Sequence, residues 1–598
     1  MSPELPIALL KQVLLYLEAE DVARCAQVSK KWRDACYVES LWKKFCDERW
    51  KYWKWKPNKA TGWRQIFLAR LSTDQWAFEV LDTLTFGGAH YLANMKKLRQ
   101  LGDNCRDVLL WILNHPNTAT LTHSYFAKRV LQHARRFSVV EKWKAWRNGT
   151  LTLSNLHGFA MMVTFFNERL DIEDIVHEVD ELAADFIAIS PEKTHETQMS
   201  RFQRLTEFFT RTYPSDASVL DIETKLMYIT SPLQETKQGK ACVLAIVFEA
   251  LAQRVGLESV EVVADREKKS FRRYHYIRYT DVESGSNDYY YIDFKKHSET
   301  GILTADEFDR HASQYYGEFW PEYKPIPQQT LFKLFLHDYF QSLTNIRGYS
   351  DEIIYGTAVQ RQFISHPVVG EGDLTALCDI MKVWWSFVAT RFKYPEDYEL
   401  GRVALSEIEQ FIGEGTWKEH EMWQKLANNV QADIEAMEAN DSTEWDYSGA
   451  LTRGGGERDP KFFIGDIVCF NKFDALGVVC RWDRAYDANM AENVAKFQWM
   501  DLDSPKDEPF YEVLTLRGVF LYCGEKSLVN EPPSSDRLKR MIPINLYGDY
   551  MGDEDDWELA KALGPITTES IGCYFERWDS ENGRYIMNEA TRKWFPDG

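Results

Sequence analysis

The sequence predicts a multidomain α+β protein, with short helices at the N-terminus, a mostly helical middle that contains an α+β core, and a small β-barrel at the C-terminus. Three observations predict this arrangement. Apolar residues recur at three- and four-residue steps through most of the chain, strand-like patterns begin after Lys461, and a Gly-rich charged stretch precedes that change. A length of 598 residues fits several domains of ordinary size.

Composition and charge exclude several classes of protein. A hydrophobic content of 44% with 27% charged residues is typical of globular proteins. The net charge of −20 argues against a generally basic nucleic-acid surface and against an anionic membrane as partner. The 10 cysteines include no Cys-x-x-Cys pair, so we expect no metal, no cofactor and no disulfide framework. No apolar run reaches about 18 residues, so we expect an intracellular protein, cytoplasmic, nuclear or both.

The first 46 residues carry a compact helical pattern. The apolar residues that share one face of the first helix are Ile7, Leu10, Leu14 and Leu17. Pro6 suits the first turn of that helix, and Asp21 is expected to cap a second one. Two further short helices carry Trp32 and Trp42. Helices over about 40 residues bury too little surface to be stable alone, so the segment must pack on a partner or on the rest of the chain.

This segment, residues 1–47, resembles an F-box. The residues that carry the resemblance are, in order, Leu5-Pro6, Leu9-Leu10, Val13-Leu14, Leu17, Asp21-Val22, Val28-Ser29-Lys30-Lys31-Trp32 and Leu41-Trp42. The resemblance implies that the segment binds a Skp-type adaptor and, through it, a cullin-RING ubiquitin ligase, while the rest of the chain selects a protein substrate. It assigns adaptor binding to Leu5, Pro6, Ile7, Leu10, Leu14, Leu17, Val28, Ser29, Trp32, Leu41 and Trp42.

Residues 48–155 are predicted to form a helical connector. The tryptophans that crowd its beginning, interleaved with Lys and Arg, are Trp42, Trp50, Trp53, Trp55 and Trp63. Such a cluster can stack on single-stranded nucleic acid, but we prefer an aromatic core covered by lysine stems. Helical periodicity continues through Ala89–Leu101, Tyr125–Phe137, Leu156–Arg169 and Ile175–Ala188.

A possible catalytic constellation lies between residues 239 and 293. Cys242 stands near the start of an apolar helix that Gly256 ends, where the helix dipole favours a thiolate. Three strands follow, at Ser259–Val263, Tyr274–Tyr279 and Tyr289–Phe294. The second strand carries His275 and the third Asp293, in the order that cysteine acyl-transfer enzymes use. The alternative is a buried structural cysteine with a structural histidine on a strand.

Residues 156–310 resemble the SirB-type transglutaminase-like domain. The residues that carry this resemblance are Gly239-x-x-Cys242, Ala252-Gln253-Arg254-Val255-Gly256-Leu257, Tyr274-His275-Tyr276-Ile277-Arg278 and Tyr291-Ile292-Asp293-Phe294. Many members of that group keep the scaffold without an established catalytic cysteine. Cys242 also falls one residue short of the nucleophile position when counted back from Gly256. We therefore expect no catalytic activity and keep acyl transfer or hydrolysis at Cys242 as an alternative.

Residues 311–440 are predicted to be a helical, repeat-like region. Its helical runs are Gln329–Leu343, Leu374–Phe392, Ala404–Ile412 and Met422–Met437. A Gly-rich, charged linker follows at residues 441–460. The pattern then changes to strands at Phe462–Asn471, Gly477–Trp482 and Phe510–Leu516, which predict the small barrel of residues 461–598.

Residues 460–530 resemble the YccV-like domain, also called hemimethylated-DNA-binding, so residues 461–598 are predicted to be this β domain with a C-terminal extension. The resemblance rests on Phe463-Ile464-Gly465-Asp466-Ile467-Val468, Gly477-Val478-Val479-Cys480-Arg481-Trp482-Asp483 and Pro509-Phe510-Tyr511-Glu512-Val513-Leu514. Residues 461–598 contain 16 Lys+Arg against 25 Asp+Glu, a net charge of −9. Because DNA affinity depends on neutralising phosphates, this charge disfavours DNA and favours a protein partner. DNA binding is kept as an alternative.

Overall fold

A computed structural model describes most of the chain. The described residues are 6–51, 62–86, 90–115, 119–165, 170–190, 196–213, 233, 239, 241–265, 275–283, 285, 288–292, 301–316, 323–332, 335–336, 394–402, 405, 420–442, 450–454, 459–471, 476–487, 497–500, 504–516, 518–530 and 570–597. Several predicted elements therefore lie outside the described residues, including Leu374–Phe392 and most of Ala404–Ile412.

Within these ranges the helices and strands follow the predicted order. The helices are α1 (Ile7–Leu14), α2 (Ala19–Cys25), α3 (Lys30–Cys36), α4 (Glu39–Arg49), α5 (Trp63–Thr85), α6 (Tyr91–Leu101), α7 (Asp103–Asn114), α8 (Leu121–Arg147), α9 (Asn155–Thr164), α10 (Ile172–Ile189), α11 (Gln198–Thr212), α12 (Ala241–Arg254), α13 (Ala305–Tyr316), α14 (His420–Asp441), α15 (Ile571–Tyr574) and α16 (Glu589–Trp594). The strands are β1 (Val260–Asp265), β2 (His275–Asp281), β3 (Asp288–Ile292), β4 (Ile302–Thr304), β5 (Tyr323–Pro325), β6 (Ile467–Phe470), β7 (Leu476–Asp483), β8 (Phe497–Met500), β9 (Phe510–Thr515), β10 (Phe520–Gly524), β11 (Leu528–Asn530), β12 (Phe575–Asp579) and β13 (Arg584–Met587). Short 3-10 turns occur at Pro395–Asp397 and Glu525–Ser527.

Contacts divide the chain into two compact units. The discontinuous unit joins Met1–Ala134 to Ala436–Gly598, and the central unit is Arg135–Glu435. Composition along the chain cannot show that two segments so far apart fold together, because it records only neighbours in sequence. The predicted domain boundaries divide the chain into consecutive ranges, and they stay a prediction.

The N-terminal helices begin and end close to where the sequence predicts. Ser29 caps α3, since its hydroxyl accepts a hydrogen bond from the Trp32 backbone N–H at 3.3 Å. Asp21 differs from the prediction, because α2 begins at Ala19 and places Asp21 inside the first turn. There its carboxylate pairs with Arg24 at 3.0 Å instead of capping the helix.

These helices pack against α5 of the same unit. The Trp42 ring lies 5.1 Å from the Phe67 ring and the Trp50 ring lies 5.0 Å from it, centroid to centroid. The indole N–H of Trp50 donates to the Asp74 carboxylate at 2.9 Å. At Trp42 and Trp50 the tryptophan cluster is thus an aromatic core, which is the interpretation that we prefer to stacking on nucleic acid. Trp53 and Trp55 lie outside the described residues.

A residue at the start of the predicted linker caps a helix near the N-terminus. Asp441 accepts hydrogen bonds from the backbone N–H groups of Leu92 and Ala93, at 2.6 and 3.2 Å. Its backbone carbonyl accepts a third from the N–H of His90. The carboxylate satisfies N–H groups at the α6 N-terminus that have no partner within the helix.

Among the described residues, the C-terminal strands of the discontinuous unit form an open sheet, and the predicted small barrel is not detected. In the described part of the chain the strand order is β11-β6-β7-β9-β10-β8, and β12 pairs only with β13. Alternating sequence patterns specify strands and their faces, but closure depends on strand tilt and register, which the pattern does not contain. The strands β6, β7 and β9 lie within or close to the three predicted ranges, whereas β8, β10 and β11 had no predicted range.

The β12–β13 hairpin packs on this sheet through a glycine. The N–H of Gly465 donates to the carbonyl of Val479 at 2.8 Å, and its own carbonyl accepts from the N–H of Tyr585 at 3.0 Å. Gly465 has φ +95°, and a Cβ there would lie 2.1 Å from the Tyr585 carbonyl oxygen. Phe575 and Phe595 join the same core, so the C-terminal extension completes the domain.

The central unit contains a five-stranded antiparallel sheet in the order β4-β3-β2-β1-β5. Helix α12 packs on it and is nearly all buried, with α9, α10 and α11 around it. Gly256 ends α12 at φ +79°, and the Leu257 N–H donates to the Ala252 carbonyl, as the sequence predicts. This arrangement is an α+β core. Its assignment to the transglutaminase-like class stays a prediction.

Glu249 interrupts the apolar run of α12, and its carboxyl group is largely buried. Burial first, and the nearby negative charge of Glu261 to a lesser extent, raise its pKa from 4.5 to about 7. A hydrogen bond from the Asn155 side chain, 2.8 Å from the carboxylate, only partly opposes this shift. Between these two pKa values the unfolded chain releases its proton while the folded chain keeps it. The free energy of unfolding must therefore fall as pH rises from 4.5 to about 7.

We expect Glu249→Gln to stabilise the central unit at pH 8, by up to about 3 kcal/mol, and to change little at pH 4.5. Urea titrations read by hydrogen exchange on α12 peptides measure unfolding of this unit by itself. Glu207→Gln, an exposed acid in the same unit, is the matched control and should show no such pH dependence. If Glu249→Gln stabilises the unit equally at both pH values, the raised pKa of Glu249 is contradicted.

Candidate functional site

The N-terminal segment has an inner and an outer apolar surface. Leu10, Leu14, Leu41 and Trp42 are buried in the core that α1–α4 share with α5, and Trp32 and Leu17 are partly buried against it. These residues hold the segment together, and their predicted contact with an adaptor stays a prediction. Leu5 lies outside the described residues.

The outer surface, here called the docking face, consists of exposed apolar side chains. Its residues are Leu9, Val13 and Tyr16, which follow one another at four- and three-residue steps; Ile7, on the side of α1 that carries Leu10 and Leu14, and Val28, after α2, are exposed as well. Leu9 and Val13 are both 46% exposed and lie one turn apart on α1. Pro6, which precedes α1, is exposed as well. The sequence assigns Ile7 and Val28 to adaptor binding, which stays a prediction, and it does not single out Leu9, Val13 and Tyr16 as exposed, because helical period does not say which face the core covers.

The proposed catalytic residues are only partly described. Cys242 is the second residue of α12 and is 8% exposed, within the core of the central unit. His275 is the first residue of β2, opposite Ala264 of β1, and its side chain lies outside the described residues. Asp293 lies outside them altogether. The triad therefore stays a prediction. In the described ranges no group of His, Cys, Asp and Glu side chains could hold a metal ion.

A cavity of about 520 Å³ lies inside the discontinuous unit, between its N-terminal helices and its C-terminal domain. Its apolar wall contains Leu84 of α5, Phe126 of α8, Leu451, Trp594 of α16 and Phe595. The volume is that of an ordinary ligand pocket. Segments remote in sequence build this wall, so no local motif could reveal it.

Other residues that line the cavity, here called the polar wall, are charged or hydrogen-bonded. Arg481 and Asp483 of β7 are paired at 2.9 Å, and Glu512 lies across from Arg481 on β9. Glu512 is 1% exposed and accepts a hydrogen bond of 2.7 Å from the Tyr574 hydroxyl. Burial and the charge of Glu512 raise the pKa of Tyr574 well above 10, so its hydroxyl stays a donor. Asp483 also accepts from the Tyr522 hydroxyl at 2.8 Å.

A β-bulge sets the direction of this polar wall. The register of β7 and β9 shifts between Val479 and Arg481, which makes Cys480 the extra residue. Bulges of this kind turn the side chains that follow them and often lie beside functional sites. The signal in the sequence is the charged residues Arg481, Asp483 and Glu512 within otherwise apolar strands, and the family resemblance does not mark them as lining a cavity.

The geometry defines a multidomain α/β protein with an exposed N-terminal docking face and a C-terminal sheet domain that borders a cavity. The chain matches the F-box-like family model over residues 3–48 and the model for hemimethylated DNA-binding protein YccV like over residues 460–582. An F-box-like domain thus lies at the N-terminus and a YccV-like domain at the C-terminus.

One relative with a similar sequence is also named for an F-box. The chain is 31% identical over 81 residues to F-box/WD repeat-containing protein 15 of Mus musculus. That alignment covers 13% of this chain and only 17% of the relative. No solved structure gives a significant match. Among the described helices, none combines the length and the apolar character that crossing a membrane requires.

Proposed function

We propose that this protein is the substrate-recruiting subunit of a Skp–cullin–F-box ubiquitin ligase. The observation that carries the proposal is the docking face on a segment that matches the F-box-like family. Because α1–α4 already bury their inner residues, the apolar side chains that remain exposed are available to a partner. The F-box named in the Mus musculus relative supports the same interpretation.

The mechanism proposed is proximity. The docking face binds the Skp-type adaptor, and the downstream domains hold a protein substrate near the charged ubiquitin-conjugating enzyme. Holding both on one scaffold raises their effective concentration, so the transfer needs no catalytic group from this chain. Cys242 is accordingly given a structural role, since it belongs to the core of the central unit.

Co-purification tests this proposal. We expect a Skp-type adaptor to be retained by the full chain and lost when residues 1–46 are deleted. Because those residues pack on α5, hydrogen exchange must show that the rest of the discontinuous unit stays folded. Retention of the adaptor by a folded deletion variant would place the docking surface elsewhere and contradict the proposal.

DNA binding through the YccV-like domain is the second candidate, supported by the description of the matching family. The net charge of −9 over residues 461–598 weighs against it. Retention on hemimethylated DNA that falls steeply with salt would support this candidate, and a lack of retention at low salt would exclude it.

A further inference from the structure

We propose that the cavity of the discontinuous unit is a recognition site for a cationic group that a substrate protein presents on an apolar stem. The inference rests on the proposed function, because it treats the cavity as the place where substrate is selected. Neither matching family description assigns a ligand to it.

Charge complementarity identifies the occupant. The ionisable side chains of the polar wall are Arg481, Asp483 and Glu512, and their combined charge is −1. Arg481 is the one basic residue among the described residues that line the cavity, and it is shared between Asp483, at 2.9 Å, and Glu512, directly opposite on β9. A buried carboxylate is stabilised by a second cation, so an ammonium or guanidinium group fits this wall. A phosphate or carboxylate would be repelled.

The apolar wall explains the requirement for an apolar stem. Phe126, Trp594 and Phe595 offer aromatic surface, and Leu84 and Leu451 add aliphatic surface. A lysine or arginine side chain buries its methylene stem on such a wall while its charged end reaches the carboxylate. Aromatic rings also attract cations directly. The cavity volume of about 520 Å³ leaves room for such a side chain and an apolar neighbour.

The polar wall is held in place before any ligand arrives. Tyr574 fixes Glu512, while Tyr522 and Arg481 fix the two oxygens of Asp483. Hydrogen bonds that lock the recognising groups lower the cost of ordering them upon binding. The site is therefore suited to a short peptide segment with a lysine, an arginine or a free N-terminus beside an apolar residue.

Peptide binding to the full chain, measured by calorimetry, tests the inference. The probes are acetyl-Phe-Lys-Phe-amide, its Gln and Glu counterparts, and Phe-Gln-Phe-amide with a free N-terminus. We expect the lysine peptide to bind about tenfold more tightly than the glutamine peptide, and the glutamate peptide to bind most weakly. The free N-terminus shows whether the cation must come from a side chain.

Two variants tie the binding to the cavity. Glu512→Gln keeps the acceptor for Tyr574 but removes the charge, so we expect the preference for lysine to disappear. Ala590→Trp fills the cavity from α16 and should abolish binding of every probe. Glu581→Gln, an exposed acid in the turn after β12, is the matched control and should bind as the unmodified chain does. Thermal unfolding verifies that each variant is folded.

Equal binding of the lysine, glutamine and glutamate peptides would overturn the inference, as would binding that survives Ala590→Trp. Lack of binding by all probes would overturn it too. Adaptor co-purification is a separate measurement. If the adaptor binds and the peptides do not, the cavity inference fails while the proposed function stands. If the peptides bind and the adaptor does not, the proposed function fails instead.

Discussion

Replacing Leu9 and Val13 together by glutamate is expected to lower the affinity of the chain for a Skp-type adaptor by about a hundredfold or more. Both side chains lie on the exposed side of α1. Each apolar side chain buried at an interface contributes about 1.5 to 3 kcal/mol, and a buried unpaired carboxylate adds a further cost. Glutamate is a good helix former, so α1 itself should persist. Calorimetry with purified adaptor measures the loss.

The control for this variant is Ile187→Glu with Ile189→Glu. These two side chains are also exposed and apolar, but they belong to α10 in the central unit. We expect that control to bind the adaptor with unchanged affinity. Leu14→Ala provides a second comparison, because Leu14 is buried and should act through the stability of the segment. Wild-type adaptor affinity in the Leu9 and Val13 variant would show that the docking face is not the interface.

Gly465→Ala is expected to destabilise the discontinuous unit by about 3 to 5 kcal/mol, from left-handed backbone strain and overpacking together. The backbone at Gly465 has φ +95°, where a Cβ is strained in any surroundings. The added methyl group would also meet the Tyr585 carbonyl, which is held by the β12–β13 hairpin. The hairpin must therefore move away from the sheet. Denaturant titration read by hydrogen exchange on hairpin peptides measures both effects.

Gly102→Ala separates the two causes. Gly102 has φ +55° in the same unit, but a Cβ there has nothing within 4 Å. We expect it to cost only the backbone strain, about 1 to 2 kcal/mol, and to leave the hairpin peptides protected. If both substitutions cost the same, the hairpin yields easily and its contact with Gly465 contributes little.

Helical and strand periodicity predicted most elements correctly because local spacing decides which side chains share a face. The α12 helix and its end at Gly256 are the plainest example, and the first three strands of the central sheet follow the same logic. Period could not say which of two apolar faces on α1 meets the core. Leu10 and Leu14 point inward while Leu9 and Val13 stay exposed, because α3 packs on one side of α1.

Closure of the C-terminal sheet was the prediction that the structure corrected. Strand patterns were right at β6, β7 and β9, yet the described strands leave β11 and β8 at open edges. Tilt and register between strands decide closure, and both arise from contacts distant in sequence.

The sequence by itself determined the F-box-like and YccV-like domains, since their motifs are local and the family models match them. Only the tertiary structure decided that these two ends fold into one unit, and that Asp441 caps α6. It also decided that Glu512, Arg481 and Asp483 line one cavity together with Phe126 and Trp594. The physical reason is that the residues of a pocket wall are neighbours in space. The order of residues along the chain does not show which distant segments come together.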